Sequence, residues 1–263
     1  MKKLVFLVII ALFFTCCKEE EKVEKPIRIA LICDVHYGIT WSENSVTRVT
    51  KAVNLINKLM PDVVLIAGDN VHYPCHEVGT KEFLSHIKKI DVPVLFAPGN
   101  HELEIPVTME GLECYRSYYG DDFVTMECKK HTIIAANSVL WDNSGAPQEI
   151  IDLHDKKLDD ALKEAQRKKQ PVILLTHIPP WGYYGEKFYR ILPEKFEPYF
   201  AKNGVSFWLA GHTHQHLQRT YESMNIFTGE TLSVNGDELP LGFRLLTIYP
   251  DHSFDWDFIP LNK

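Results

Sequence analysis

Apolar runs recur along this chain, and each ends in a short polar cluster. The runs are IRIALIC at 27–33, PDVVLIA at 61–67, VPVLFAP at 92–98, PVILLT at 171–176 and VSFWLA at 205–210. Short stretches this rich in Val, Ile and Leu read as strands buried on both faces, here over 27–33, 63–67, 93–97, 171–176 and 205–210. Two further strands are expected at 122–127 and 131–137, around a Lys129-Lys130 turn. Between them the apolar positions take a helical period. Residues 44–60 place Val46, Val49, Val53, Ile56 and Met60 on one face and stop at Pro61. Residues 80–90 read as a helix, and 152–169 as another with Leu158, Ala161, Leu162 and Ala165 inward. Residues 186–202 are expected to be helical in part, interrupted by Pro193 and Pro198. The helical period then disappears, and short strands follow at 216–220, 225–228, 242–248 and 253–259, the last two a hairpin turning at Pro250-Asp251-His252. Strands alternating with helices, without an internal repeat, predict one layered α/β domain over 27–263 with a largely parallel sheet.

The N-terminus has a different pattern. Met1-Lys2-Lys3 is basic, Leu4–Phe14 is unbroken apolar sequence, and Thr15-Cys16-Cys17 follows. Residues 1–17 read as a signal peptide, too short in its apolar part to span a bilayer. The cysteines resemble the lipobox of bacterial lipoproteins, with either Cys16 or Cys17 lipidated; the alternative is a cleaved signal peptide without lipid. Residues 18–26 form a charged tether, and Lys18 followed by glutamates resembles the surface-export signal of some Bacteroidetes lipoproteins. The expectation is an exported lipoprotein, anchored to the membrane and periplasmic or on the cell surface.

Composition narrows the partners. The chain has 263 residues, 45% hydrophobic, and its formal charge of −7 becomes −9 once Lys2 and Lys3 are removed. An acidic chain lacks the field that draws in a nucleic-acid backbone, so a nuclease is disfavoured. Four cysteines remain, Cys33, Cys75, Cys114 and Cys128, and they allow three pairings. Cys33 ends an apolar strand and reads as a small buried apolar group. None has CxxC spacing, so thiolate metal ligation is not expected.

The polar clusters are Asp34-Val35-His36, Gly68-Asp69-Asn70, Gly99-Asn100-His101-Glu102, Thr176-His177 and Gly211-His212-Thr213-His214. They deliver carboxylates, imidazoles and an amide to the ends of separate strands, as a metal site in a hydrolase requires. In an extended segment, side chains two apart share a face. Asp34 and His36 are thus expected to grip one ion, and His212 and His214 likewise. Of the 12 histidines, His76, His86, His131, His154 and His252 lie outside these clusters and read as surface or satisfied core residues.

The ordered set of motifs resembles the calcineurin-like metallophosphoesterase superfamily over nearly all of 27–260. That resemblance implies an α/β fold, a four-layer α-β-β-α sandwich of two mixed sheets flanked by helices. It implies two divalent metal ions, of Mn, Fe, Zn or Ni. Asp34, His36, Asp69 and His214 would hold the first, and Asp69, Asn100, His177 and His212 the second, with Asp69 bridging. His101 would be catalytic, facing the substrate to stabilise phosphoryl oxygens or protonate the leaving group. The implied reaction is hydrolysis of a small phosphomonoester or phosphodiester by a metal-bridging hydroxide. A lipoprotein that binds metal or a phosphorylated ligand without turnover is the alternative.

The chain departs from the family pattern at one place. Many members read GDxxD at the second cluster, where the last acid orients the His of the third; here that position is His72. The first cluster is DxH and the second is not GDxxY, which argues against the purple acid phosphatase branch. Glu102 reads as a local structural hydrogen bonder. After His177, Ile178-Pro179-Pro180 is similar to the corresponding segment of cyclic-nucleotide-phosphodiesterase-like members. Trp181, Tyr183 and Tyr184 then either stack on a base, line an apolar pocket or pack as a lid on their own domain. Residues 102–117 form another rim, with Arg116 a candidate phosphate contact.

Overall fold

The first strand shows why this chain builds a sandwich. Ile27, Ile29, Leu31 and Cys33 join one core, while Ala30 and Ile32 join another. A strand buried on both faces must lie between two layers. The computed structural model describes residues 25–38, 45–142, 145–236 and 239–262. The signal peptide, Cys16, Cys17 and most of the tether expected at 18–26 lie outside the described residues.

In chain order the elements begin with β1 (Ile27–Ile32), α1 (Ser45–Leu59), β2 (Val63–Ile66), α2 (Glu77–Ile87), β3 (Val94–Phe96), α3 (Asn100–Leu103) and α4 (Met109–Tyr119). They continue with β4 (Val124–Cys128), β5 (His131–Ala135), a 3-10 turn (Ser138–Trp141), α5 (Gln148–Lys168), β6 (Val172–Leu175), β7 (Trp181–Tyr184) and β8 (Lys187–Arg190). The last are α6 (Phe196–Lys202), β9 (Val205–Ala210), β10 (Leu217–Tyr221), β11 (Met224–Thr228), β12 (Gly242–Ile248) and β13 (Phe254–Pro260).

Two sheets result. One has the order β13-β12-β1-β2-β3 and the other β10-β11-β9-β6-β5-β4. In the first, β1, β2 and β3 are parallel, and β12 pairs antiparallel with both β1 and β13. In the second, β5, β6, β9 and β11 are parallel, with antiparallel β4 and β10 at the edges. The inward faces meet through Leu31, Leu65, Ile133, Ile173 and Leu209. Outside the first sheet, Val49, Val53 and Ile56 of α1 and Phe83 of α2 cover Ile32, Val64 and Ile66. Outside the second, Leu112, Leu158, Leu162 and Phe200 of α4, α5 and α6 cover Ile134, Leu174 and Trp208. The fold is therefore the four-layer α/β sandwich of two mixed sheets.

Several local expectations change. Val46 and Met60, read as inward, are exposed. Met60 lies past the end of α1 with φ +49°, off the helical face. The helix expected at 80–90 starts earlier, because His76 Nδ1 accepts the N–H of Gly79 at 3.2 Å and so caps α2. The segment 186–202 is helical only from Phe196. Its first part, Lys187–Arg190, pairs with Trp181–Tyr184 as a two-stranded ribbon. Residues 102–117 hold α4, which packs Leu112 and Tyr115 into the core.

Of the three cysteine pairings, Cys75–Cys114 forms, leaving Cys33 and Cys128 as thiols. Cys33 is fully buried beside Ala210 O, in line with the apolar reading. The bridge ties the loop after β2 to α4 across 39 residues, a closure worth roughly 2–4 kcal/mol against the unfolded chain.

Candidate metal centre

Every sequence-identified donor sits just past the carboxyl end of a parallel strand. Asp34 and His36 follow β1, Asp69 follows β2 and Asn100 opens α3 after β3. His177 follows β6, and His212 and His214 follow β9 in the other sheet. The cluster thus straddles the two sheets at one end of the sandwich. The backbone there is not extended. Asp34, His36, Asp69, His212 and His214 have φ of +48°, +45°, +50°, +70° and +53°. Left-handed backbone costs a non-glycine residue about 1 kcal/mol, so the packing around five of the seven donors imposes it. The extended-strand argument for Asp34/His36 and His212/His214 is therefore replaced by tight turns. Two glycines make room for the carboxylates. A Cβ on Gly99 would lie 2.1 Å from Asp69 Oδ1, and one on Gly211 2.6 Å from Asp34 Oδ2.

The donors fall into two constellations. In the first, His36 Nε2 lies 3.1 Å from His214 Nε2 and 3.6 Å from Asp69 Oδ2, and His214 Nε2 lies 3.5 Å from Asp34 Oδ1. In the second, Asn100 Oδ1 lies 2.9 Å from His177 Nε2 and 3.0 Å from His212 Nδ1, and His177 Nε2 lies 3.4 Å from Asp69 Oδ1. His212 and His214 thus face different constellations rather than gripping one ion together. Asp69 presents one oxygen to each.

Backbone carbonyls set the tautomers. His177 Nδ1 lies 2.7 Å from Ala67 O, and His214 Nδ1 lies 2.7 Å from Val234 O. A carbonyl only accepts, so each Nδ1 carries the hydrogen and, in a neutral ring, each Nε2 presents a lone pair to the cluster. His212 Nδ1 and His177 Nε2 also approach to 3.1 Å. Nitrogen lone pairs this close repel unless a proton or cation lies between them. The mixed carboxylate, imidazole and amide set suits Mn, Fe, Zn or Ni, so these residues could hold metal ions.

Charge in the cluster is already arranged. Burial holds His36 and His212 down at about 4, against the pull of nearby carboxylates. Burial also acts to lower His214, but Asp34 outweighs it and lifts the ring to about 9. Burial opposes the Asp34 charge, yet His214, His177 and His36 hold that carboxyl well below the usual range. The His212 N–H donates to Asp34 as well, at 2.9 Å to Oδ2.

His101 stands beside the cluster. Its Nδ1–H donates to the carbonyl of His72 at 2.8 Å, and its Nε2 lies 3.9 Å from Asp69 Oδ2 with the ring partly exposed. The side chain of His72 stacks on His101, with centroids 4.8 Å apart, but its Nδ1 faces His36 Nδ1 at 3.3 Å. The acid expected to orient His101 is thus replaced by a main-chain oxygen, while the imidazole at 72 supports a neighbouring donor. His72→Ala should leave His101 oriented and loosen His36. The expected result is a 10- to 100-fold fall in cation affinity, read by competition with a chelating dye. Unchanged affinity would remove this role for His72.

Glu102 is buried and binds two loops together. Its Oε2 accepts the N–H groups of Asp69 and Gly99 at 3.0 and 2.8 Å, and its Oε1 those of Asn70 and Val71. Burial and the Asp69 charge push its carboxyl up to about 7. With both oxygens facing N–H donors, no acceptor remains for a carboxyl proton, and the ionised form fits the site. The structural reading of Glu102 therefore holds, with a wider reach than a local one. The guanidinium of Arg116, the candidate phosphate contact, is engaged by Asp122, with Nε and Nη2 donating to Oδ1 at 2.8 and 2.6 Å. Trp181 is buried in the core rather than lining a pocket. The supporting carbonyls of Ala67, His72 and Val234 had no signal in the sequence, because any residue supplies one.

This fold, with such donors at its strand ends, defines the class of metal-dependent phosphoesterases. The chain belongs to the calcineurin-like phosphoesterase family, whose profile matches residues 27–216. Among curated relatives, it is 23% identical to the human serine/threonine-protein phosphatase CPPED1 over 261 residues, covering 88% of this chain and 83% of the relative. The Danio rerio CPPED1 is 25% identical, covering 80% of this chain and 73% of that one. Among solved structures, a dimetal phosphatase from Danio rerio superposes with a TM-score of 0.64 at 13% identity, over 91% of this chain and 98% of that one. The purple acid phosphatase PPD1 from yellow lupin (Lupinus luteus) reaches 0.64 at 17% identity, over 90% of this chain and 52% of its own. At such identities the structural matches speak for the fold.

Proposed function

We propose that this phosphoesterase holds two divalent cations and hydrolyses a small phosphate mono- or diester outside the cytoplasm. The observation that carries the reading is Asp69, whose two oxygens face two separate donor constellations. Asp34, His36, Asp69 and His214 would hold one ion, and Asp69, Asn100, His177 and His212 the other. Divalent cations so placed supply Lewis acidity to phosphoryl oxygens and lower the pKa of water at the site. His101 does the remaining proton work. Its Nδ1–H is committed to His72 O, which leaves Nε2 to carry a proton toward the leaving oxygen. The neutral amide of Asn100 adds a donor without negative charge, which favours an anionic ester.

The test uses protein loaded with Mn, Zn, Fe or Ni and aryl phosphate mono- and diesters. Turnover is expected with at least one ester, and His101→Ala should lower kcat by about 10²- to 10⁴-fold at unchanged metal content. Absence of turnover with every ester and metal would favour the alternative, a binding lipoprotein without catalysis.

The export reading rests on the N-terminal sequence and is supported by the Cys75–Cys114 bridge, which suits an oxidising compartment. Metabolic labelling with a lipid precursor should mark the chain and lose that mark when Cys16 and Cys17 are both replaced. Labelling that survives their loss would defeat the anchor.

A further inference from the structure

The loop between β11 and β12 lies beyond residue 216, where the family profile ends, yet it reaches the candidate centre. Thr231 forms a parallel bridge with Cys33, the residue before Asp34, and the Leu232 N–H donates to Cys33 O at 3.2 Å. Three further bonds reach the donor residues. The Ser233 hydroxyl donates to Asp34 O at 2.7 Å, Val234 O accepts the Nδ1–H of His214 at 2.7 Å, and the Gly236 N–H donates to His214 O at 2.7 Å. The loop therefore holds the main-chain carbonyls of two donor residues and the ring of one. Asp34 and His214 both have left-handed backbone, so these bonds act where the turns need outside support.

One side chain closes the loop. Asn235 Oδ1 accepts the Thr231 N–H at 2.7 Å, and Nδ2 donates to Leu239 O and Pro240 O at 2.9 and 2.8 Å. Each amide atom meets the partner its chemistry requires, and residue 231 is tied to residues 239 and 240. Those partners are all main-chain groups, so the amide acts on the path of the loop. Ser233 is buried and adds a tie of its own, its N–H donating to Thr231 Oγ1 at 3.1 Å. Val234 is 40% exposed and Gly236 is exposed, so burial contributes little at two of the contact residues.

The support falls on one side of the centre. Asp34, His36 and His214 can place ligand atoms within 4.8 Å of one another, and the loop braces two of these three. In the other constellation, His177 is fully buried and leans on Ala67 O at the end of β2, a brace that comes from the sheet. We propose that Asn235 is a positioning residue for the first cation alone. It keeps residues 231–236 in the path that presents Val234 O to His214 and the Ser233 hydroxyl to Asp34 O. The inference rests on the two-cation reading above.

Titration of Mn²⁺ or Zn²⁺ against a chelating dye tests it in two backgrounds. His177→Ala cripples the second constellation and leaves the first to bind; His214→Ala does the reverse. Asn235→Ala should weaken the remaining cation about 10- to 100-fold in the His177→Ala protein, and by less than about twofold in the His214→Ala protein. Ser233→Ala, which removes the bond to Asp34 O, should show the same selectivity. A merely structural role predicts equal losses in both backgrounds, beside a lower urea midpoint in chelator. Equal losses, or no loss in the His177→Ala protein, would overturn the inference while two cations on the native chain keep the two-cation reading. If the native chain binds a single cation, that reading fails. The inference then stands only if Asn235→Ala weakens that ion and His214→Ala abolishes its binding. If the native chain binds none, both fail.

Discussion

Asp69→Asn is expected to lower kcat/KM by on the order of 10³-fold and, on the two-cation reading proposed above, to cost one of the cations. The substitution preserves shape, so its effect comes from the chemistry of one atom. Asp69 Oδ1 accepts the N–H of His101 at 2.9 Å, and that donor fixes the amide orientation, with the asparagine oxygen toward His101 N. The new NH₂ then occupies the Oδ2 position, 3.6 Å from His36 Nε2. It offers hydrogens where the first constellation needs a negative oxygen, while the second keeps an oxygen 3.4 Å from His177 Nε2. Elemental analysis of dialysed protein should fall from two cations per chain to one. Two cations retained, with turnover within tenfold of native, would show that Asp69 does not join the constellations.

The layered fold was legible because strands buried on both faces leave little choice of residue. In β1, Ile27, Ile29 and Leu31 feed one core and Ala30 and Ile32 the other, and the same pattern repeats in β2, β6 and β9. The ribbon was not legible. Lys187-Phe188-Tyr189-Arg190 has no polar–apolar alternation, because the ribbon has one face on the domain through Trp181 and both rims open. The seven candidate donors could be named from the resemblance of their motifs to the family's, each motif following a strand that ends at the same edge. Their grouping could not be read from i, i+2 spacing. The left-handed turns at His212 and His214 send neighbouring imidazoles to different constellations, and no side-chain pattern encodes that. His72 shows the same limit. Its position was flagged by the missing acid, but the acceptor for His101 is the carbonyl of residue 72 and the ring turns to His36.

Glu102→Gln is expected to weaken folding and cation binding together, which separates it from the donor substitutions. A glutamine fills the same space but replaces one carboxylate oxygen with an NH₂. Whichever way it turns, two backbone N–H groups lose an acceptor: those of Asn70 and Val71, or those of Asp69 and Gly99. Those donors are buried, and water does not replace the lost partner. The cost should be about 3–5 kcal/mol, a large part of the roughly 5–15 kcal/mol that holds a domain folded. The same N–H groups position the Asp69 and Gly99 loops, so loss of the clamp also lets the two constellations drift apart. Urea unfolding in the presence of a chelator isolates the structural part, because bound cations would otherwise stabilise the fold by mass action. The midpoint should fall for Glu102→Gln in chelator, whereas Asp69→Asn under the same conditions should unfold near the native midpoint. Equal midpoints for native and Glu102→Gln protein would mean that the four N–H groups find other acceptors, and that Glu102 is not what joins the Asp69 turn to the Gly99 turn.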